Sequence, residues 1–305
     1  MEEICWMLDF NDTSPVKRNR ATKAEMIERA EFVVGFAKQF KPVTVRQVFY
    51  AATVHGIIEK TEGGYSKIQQ VCLNCRRNGS IPYYHIADNS RTYYQVTSFE
   101  DLSNASDNFA STYKRDFWAN SSDAVEVWLE KEALAGVVMP VTNEYRVRLV
   151  PTRGFASETI VYGAVENAAQ EGRKRLYVKT LYDFDRSGRD AEAAIVRRMS
   201  EIGDQLGVEV IHQKLGLTLH QITSMNLPTR PAKKKSAADK NWKYDFAVEL
   251  DAMPPEVLRN IVTEALEPHM PFGMRQKFRL VEQQERAVIR MALSDLKWVG
   301  LILTG

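Results

Sequence analysis

Three carboxylates in this 305-residue chain are spaced as if to meet. Glu130 directly follows the apolar run 125–129 (VEVWL), and Asp183 and Asp185 directly follow a second such run, 176–182 (LYVKTLY). Both runs read as short strands. Asp183 and Asp185 alternate about Phe184, so in extended backbone both carboxylates point to one side. In an open α/β sheet, ligands bind at the carboxyl ends of parallel strands, which is where both acidic elements fall. Three converging carboxylates repel one another unless a cation stands between them. Hard oxygen donors with room for water and phosphate suit Mg²⁺ better than zinc. Such an ion polarises a phosphate and stabilises a leaving oxygen. An Asp-x-Asp alone is common in loops. Glutamate at one strand end, Asp-x-Asp at another and Ser187-Gly188 opening the next helix together make a more specific pattern.

The elements that must position these residues fall into two regions. Residues 22–40 have helical spacing, with Met26, Ala30, Val33, Val34 and Ala37 on one stripe. A second helix runs from Thr44, an N-cap, to about Val54 or His55. Gly56 and the Gly63-Gly64 pair break the pattern, and a third helix covers 65–77, stopped by Asn78-Gly79. The aromatic, β-branched segment 81–86 reads as a strand. Three small helices and a strand pair outline a winged-helix (CAP-like) DNA-binding domain over 1–97. A polar linker, 98–122, holds one helix near 107–118. From Ala124 strands and helices alternate: strands at 125–129, 146–150, 176–182, 208–213 and 246–250, helices at 131–138 (closed by Pro140), 157–170, 188–206 and 254–267. That order predicts an α/β domain over 123–305, with a mostly parallel sheet flanked by helices. The run 227–243 reads as a long basic loop.

Composition excludes several classes. The chain is 44% hydrophobic and 26% charged, and no apolar run approaches the ~20 residues of a membrane-spanning helix. The opening residues, MEEICW, lack the apolar core of a secretory signal. Three cysteines are too few for a disulfide framework, which points to a reducing cytoplasm, with nucleoid association if the source is prokaryotic or phage. The formal net charge is only +2, but basic residues cluster at Lys17, Arg18, Arg20 and Lys23 and again at Arg230, Lys233, Lys234, Lys235, Lys240 and Lys243. Clusters of this kind suit phosphate contacts, or simply a solvated surface. Cys72 and Cys75 have no second pair at zinc-finger spacing. There is no Walker-type phosphate loop, so the chain is not itself a P-loop ATPase.

Two segments resemble the motifs of the Toprim family. Residues 126–133 (EVWLEKEA), with Glu130, look like the first motif. Residues 182–188 (YDFDRSG), with Asp183 and Asp185, look like the second, in which Arg186 stands where proline is frequent. Toprim folds serve topoisomerases, bacterial primases and nucleases, so the fold alone does not choose among them. Residues 44–50 (TVRQVFY) are similar to the Arg-x-x-Tyr-Tyr element of the topoisomerase VI A subunit and the meiotic double-strand-break transesterase. The likeness continues through the 65–79 helix, the 88–91 and 153–155 turns and 249–254 (ELDAMP).

The resemblance implies a winged helix followed by a Toprim domain, acting on double-stranded DNA as a homodimer. Tyr50 is then the nucleophile, forming a 5′-phosphotyrosyl bond at the Toprim site of the other subunit. Arg46, one helical turn before it, would neutralise the attacked phosphate. Glu130, Asp183 and Asp185 would hold Mg²⁺, with Glu130 also able to relay a proton. Arg77, Arg91 and Arg153, together with Lys233, Lys234 and Lys235 of the basic loop, would contact DNA. ATP-driven strand passage would need a separate ATPase subunit. Two other readings stand beside this one: a Toprim endonuclease in which water attacks and Tyr50 is structural, and a DNA-binding scaffold without catalysis.

Overall fold

The computed structural model describes residues 21–87, 96–232 and 242–303. Three helices open the described chain. In α1 (Lys23–Phe40) the Thr22 hydroxyl accepts from the Glu25 amide while the Glu25 carboxylate accepts from the Thr22 amide. In α2 (Val45–Val54) Thr44 and Gln47 make the same reciprocal pair. Each such cap satisfies two backbone groups that the first turn leaves open. The third helix, α3 (Glu62–Arg77), begins three residues earlier than its apolar pattern suggests, because Thr61 caps it at Gly64 N. Gly63 and Gly64 therefore lie inside the first turn. A Cβ at Gly64 would come within 2.2 Å of the Glu59 carbonyl oxygen, so glycine here admits the preceding loop and does not break the helix.

The expected strand at 81–86 is instead a 3-10 turn, Tyr83–His85, leaving only a single bridge between Val43 and Ile86. Pro82 supplies the reason: its carbonyl accepts from His85 N at 3.0 Å and curls the segment, burying Ile81 and Ile86 while Tyr83 and Tyr84 stay exposed. The strand pair of a wing is not present among the described residues.

Four parallel strands form the central sheet: β1 (Asp123–Leu129), β2 (Arg148–Pro151), β3 (Arg175–Leu181) and β4 (Glu209–Gly216), in the order β2-β1-β3-β4. The chain leaves β1 for β2 on one side and returns to β3 on the other. The junction of β1 and β3 is thus the switch point of the sheet, where a crevice opens at the carboxyl ends. Leu129 pairs with Leu181 at that end, so the residues that follow them are neighbours.

Helices cover both faces. On one lie α6 (Glu158–Gln170) and α7 (Arg186–Leu206), packed on Trp128, Leu176, Val178 and Tyr182. On the other lie α5 (Ala135–Tyr145) and α9 (Pro255–Leu266), continuous with the buried residues of α1–α3. Pro140 was expected to close its helix but sits inside α5. Burial of Val137, Val138, Val141 and Tyr145 outweighs the ~3 kcal/mol that an internal proline costs a helix.

Smaller elements complete the chain: α8 (Leu219–Ser224), and a two-residue antiparallel pair, β5 (Arg230–Pro231) with β6 (Phe246–Ala247). The linker helix, α4 (Leu102–Thr112), starts earlier than expected because Asp101 caps it at Asn104 N. It packs on a 32-residue helix, α10 (Phe272–Leu303), that the apolar pattern did not reveal. No helix among the described residues is long and apolar enough to cross a membrane.

Glu282 of α10 fastens this pair. It is buried and accepts from Arg115 N at 2.8 Å, Arg146 Nη2 at 3.2 Å and Arg286 Nη2 at 2.7 Å. Glu282→Ala should leave the Arg115 amide and the Arg146 and Arg286 guanidinium groups without this partner. Because the two guanidinium groups keep partial contact with water, the expected loss is about 2 kcal/mol, below the range for a fully buried pair, measured by urea unfolding.

Candidate functional site

Glu130, Asp183 and Asp185 line one cavity of about 720 Å³ at the β1/β3 switch point. Glu130 continues the strand ladder, its amide donating to the Leu181 carbonyl at 3.0 Å. Its Oε2 accepts from the Asp183 amide at 2.8 Å, which ties the two acidic elements directly together. Phe184 turns the other way. It pairs through its backbone with Val248 and packs its ring against Trp242, Tyr244 and Phe246. Anchored there, it leaves the aspartates before and after it on the cavity side.

Asp185 is also the N-cap of α7, its Oδ1 accepting from Gly188 N at 2.8 Å, which is why that helix begins at Arg186 and not at Gly188. Gly188 makes room for the whole arrangement. A Cβ there would lie 2.6 Å from the Asp183 carbonyl oxygen and 3.1 Å from Glu130 Oε2.

Cations stand among these acids. Lys131 Nζ is 3.1 Å from Asp183 Oδ2, 3.1 Å from Glu249 Oε2 and 2.9 Å from Asp251 Oδ2. Arg230 Nη2 is 2.7 Å from Asp185 Oδ2, and Arg46 Nη1 is 2.6 Å from Glu249 Oε2. Thr44 Oγ1 adds a hydrogen bond to Asp251 Oδ1. The start of α2 is therefore bolted to the 249–251 segment. Burial and the neighbouring Asp183 charge push the Glu130 carboxyl up to about 7. Burial also opposes the charge of Lys131, but Asp251, Asp183 and Glu249 outweigh it and keep the ammonium protonated.

Glu130, Asp183 and Asp185 offer oxygen donors of the hard type that a divalent cation takes. A backbone N–H orients each of the three carboxylates: Asp183 on Glu130, Leu250 on Asp183 at 2.7 Å, Gly188 on Asp185. Among the described residues no three acidic, histidine or cysteine side chains stand close enough together to hold a metal ion as they are placed. The second oxygens of Asp183 and Asp185 are held by Lys131 and Arg230, which an ion would displace.

Other expected site residues are distributed differently. Arg46 lines the carboxylate cavity, but Tyr50 lines a separate apolar groove of about 670 Å³ beside Phe32 and Phe36 of α1. The one-turn spacing of the two residues does not bring them into one cavity, since Arg46 reaches for carboxylates and the Tyr50 ring is buried to 7% exposure. Burial, with Glu249 nearby, pushes the Tyr50 phenol up to about 12. Arg77 is exposed on α3 outside the cavity, whereas Arg76 lines it and stacks on Tyr83. Arg153 stands at the rim with a left-handed backbone (φ 55°), its side chain on Glu132 at 2.5 Å. Arg91, Lys233, Lys234 and Lys235 lie outside the described residues.

Sequence reasoning did not single out Lys131, Glu249 or Asp251 as site residues. A signal was present: Glu249-Leu250-Asp251 repeats the alternation of Asp183-Phe184-Asp185. No protein-family model, curated protein or solved structure matches this chain.

Two outcomes follow from this geometry. Gly188→Ala should force apart the Asp183 carbonyl and Glu130, costing about 1–3 kcal/mol as overpacking does, read by chemical denaturation. The second concerns pH. Burial opposes the Glu249 charge, but Lys131 and Arg46 outweigh it and hold the carboxyl at about 2. A carboxyl depressed in the folded state contributes its full stability above its unfolded value near ~4.3, and loses it as pH falls through about 2. Thermal unfolding followed across that window should show a decline, shallower in Glu249→Gln.

Proposed function

We propose that this protein is a Mg²⁺-dependent enzyme that breaks the phosphodiester backbone of double-stranded DNA, with Tyr50 as the attacking group in a homodimer. One observation carries the reading: glutamate and Asp-x-Asp at the carboxyl ends of adjacent parallel strands line one open cavity, together with Arg46, Lys131, Arg153 and Arg230. Acidic oxygens beside guanidinium and ammonium groups suit a metal-bridged phosphate, the cations taking the phosphate oxygens that the metal leaves. Glu130, Asp183 and Asp185 would hold the ion, which when bound polarises the phosphate and stabilises the departing 3′ oxygen. Arg46 and Arg153 would receive the strand on either side, with Arg77, Arg91 and Lys233–Lys235 of the chain extending the contact. Glu130, whose carboxyl is raised by burial to about 7 in the absence of an ion, would hold or release a proton when it does not share the metal. Strand passage would call for a separate ATPase subunit.

A second reading is favoured by a specific observation. Tyr50 is 7% exposed, and its phenol is raised to about 12. A phenol so placed is a poor nucleophile until it moves, whereas water reaches the carboxylate cavity directly. In that case the protein is a metal-dependent endonuclease and Tyr50 packs the groove beside α1.

Supercoiled DNA incubated with the protein and Mg²⁺, then quenched with detergent with and without protease, separates the two. The transesterase leaves protein on the 5′ ends, and Tyr50→Phe removes cleavage without loss of fold. Free ends and an active Tyr50→Phe variant assign attack to water. Asp183→Ala and Asp185→Ala should abolish cutting under either reading. Normal cutting by both, or no cutting by the wild type, would overturn the proposal of a metal-dependent DNA-cleaving site.

A further inference from the structure

Three cations converge on the carboxylate of Glu249. Arg46 Nη1 is 2.6 Å and Lys131 Nζ 3.1 Å from its Oε2, and Arg230 Nε is 3.6 Å from its Oε1. They come from three separate parts of the chain: α2, the turn after β1, and β5. Arg46 pairs with Glu249, while Lys131 and Arg230 are shared with Asp183, Asp251 and Asp185. Two planar guanidinium forks and an ammonium around a common centre are the complement of a group with more acceptor oxygens than a carboxylate has, and phosphate is the common biological one.

The surroundings allow an exchange of anions. Glu249 and its three partners all line the same open cavity, and the Arg46 side chain keeps 42% of its exposure. The backbone around Glu249 is pinned, by Val248 paired with Phe184 and by Leu250 N on Asp183 Oδ1, so only the side chain needs to turn. The cations would not be stranded when it does. Lys131 keeps Asp183 and Asp251, and Arg230 keeps Asp185. These same contacts set the anion position one cation away from two of the three candidate metal carboxylates.

We infer that Arg46, Lys131 and Arg230 form an anion site for a DNA backbone phosphate, and that Glu249 is its resident occupant, which the phosphate displaces. The identity of the ligand rests on the proposed DNA-cleaving function; the site itself rests only on the three cations and their common carboxylate. Glu249 then lowers affinity for DNA while it keeps three positive side chains assembled and α2 docked. Its carboxyl is held at about 2, so at neutral pH it competes with phosphate as a full charge.

The test uses the full chain in EDTA, so that neither metal nor cleavage enters. Two probes are used: inorganic phosphate, followed by thermal stabilisation against chloride at matched ionic strength, and a short DNA duplex, followed by direct binding. Removing the internal competitor in Glu249→Gln should tighten both by about tenfold, the worth of one charge-assisted hydrogen bond. Arg46→Ala in that background should erase the gain. A folded Glu249→Gln protein that binds phosphate no better than wild type overturns the inference, because Glu249 is then only a clamp. A gain for phosphate without one for duplex overturns the DNA assignment. Should Glu249→Gln fail to fold, Glu249→Asp keeps the charge but withdraws it by one methylene. It must then give a smaller gain, and no gain overturns the inference. Tight binding in a protein that never cuts DNA would remove the cleavage reading alone, while unchanged binding in a protein that does cut would remove the anion site alone.

Discussion

The structure depends on how a set of crowded carboxylates is kept neutral. At the carboxyl ends of β1 and β3 the cavity gathers Glu130, Asp183, Asp185, Glu249 and Asp251, and a single ammonium, that of Lys131, touches three of them. Charges this close and this poorly solvated cannot remain unpaired without large cost. Lys131 is therefore fixed by its neighbours as firmly as they are fixed by it. Because Glu249 and Asp251 also hold Arg46 and Thr44 of the N-terminal helices, the same pairing that neutralises the site docks α2 against it. Site and architecture are one electrostatic unit.

Backbone geometry supplies the precision. Leu129 opposite Leu181 sets Glu130 beside the start of the acidic turn, and the Asp183 amide on Glu130 closes the gap. Phe184, pinned in an aromatic cluster on the far side, makes the alternation of its neighbours a fixed direction. Gly188 matters through what it lacks, since the carbonyl of Asp183 occupies the space of its absent side chain. The Asp-x-Asp and the Ser-Gly after it are therefore one structural device: the second aspartate caps the helix, and the glycine lets that helix begin against the turn.

Arg46 and Tyr50, one turn apart on the same face of α2, enter different cavities. Arg46 belongs to a polar, open cavity shared with the sheet, and Tyr50 belongs to an apolar groove shared with α1. A helix four residues further along its axis has risen about 6 Å, enough for neighbouring side chains to enter different environments.

The sequence by itself determined the parts that rest on local pattern. The cap at Thr44, the apolar strand runs at 125–129 and 176–182 and the alternation of strand and helix after Ala124 reflect nearest-neighbour chemistry, and all are local enough to read. So was the meeting of Glu130 with Asp183 and Asp185, because parallel strands must share a carboxyl rim. Tertiary structure alone decided the rest. Segment 81–86 has strand composition, but Pro82 and the burial of Ile81 and Ile86 turn it. Pro140 stays helical because its neighbours are buried on α9 and the sheet. Lys131 looks like a helix-start lysine until Glu249 and Asp251, 118 and 120 residues away, surround it. Periodicity reports which face of an element is buried. It carries no information about which charge from a distant segment will be pressed against that element, because that choice is made by packing, after the elements have formed.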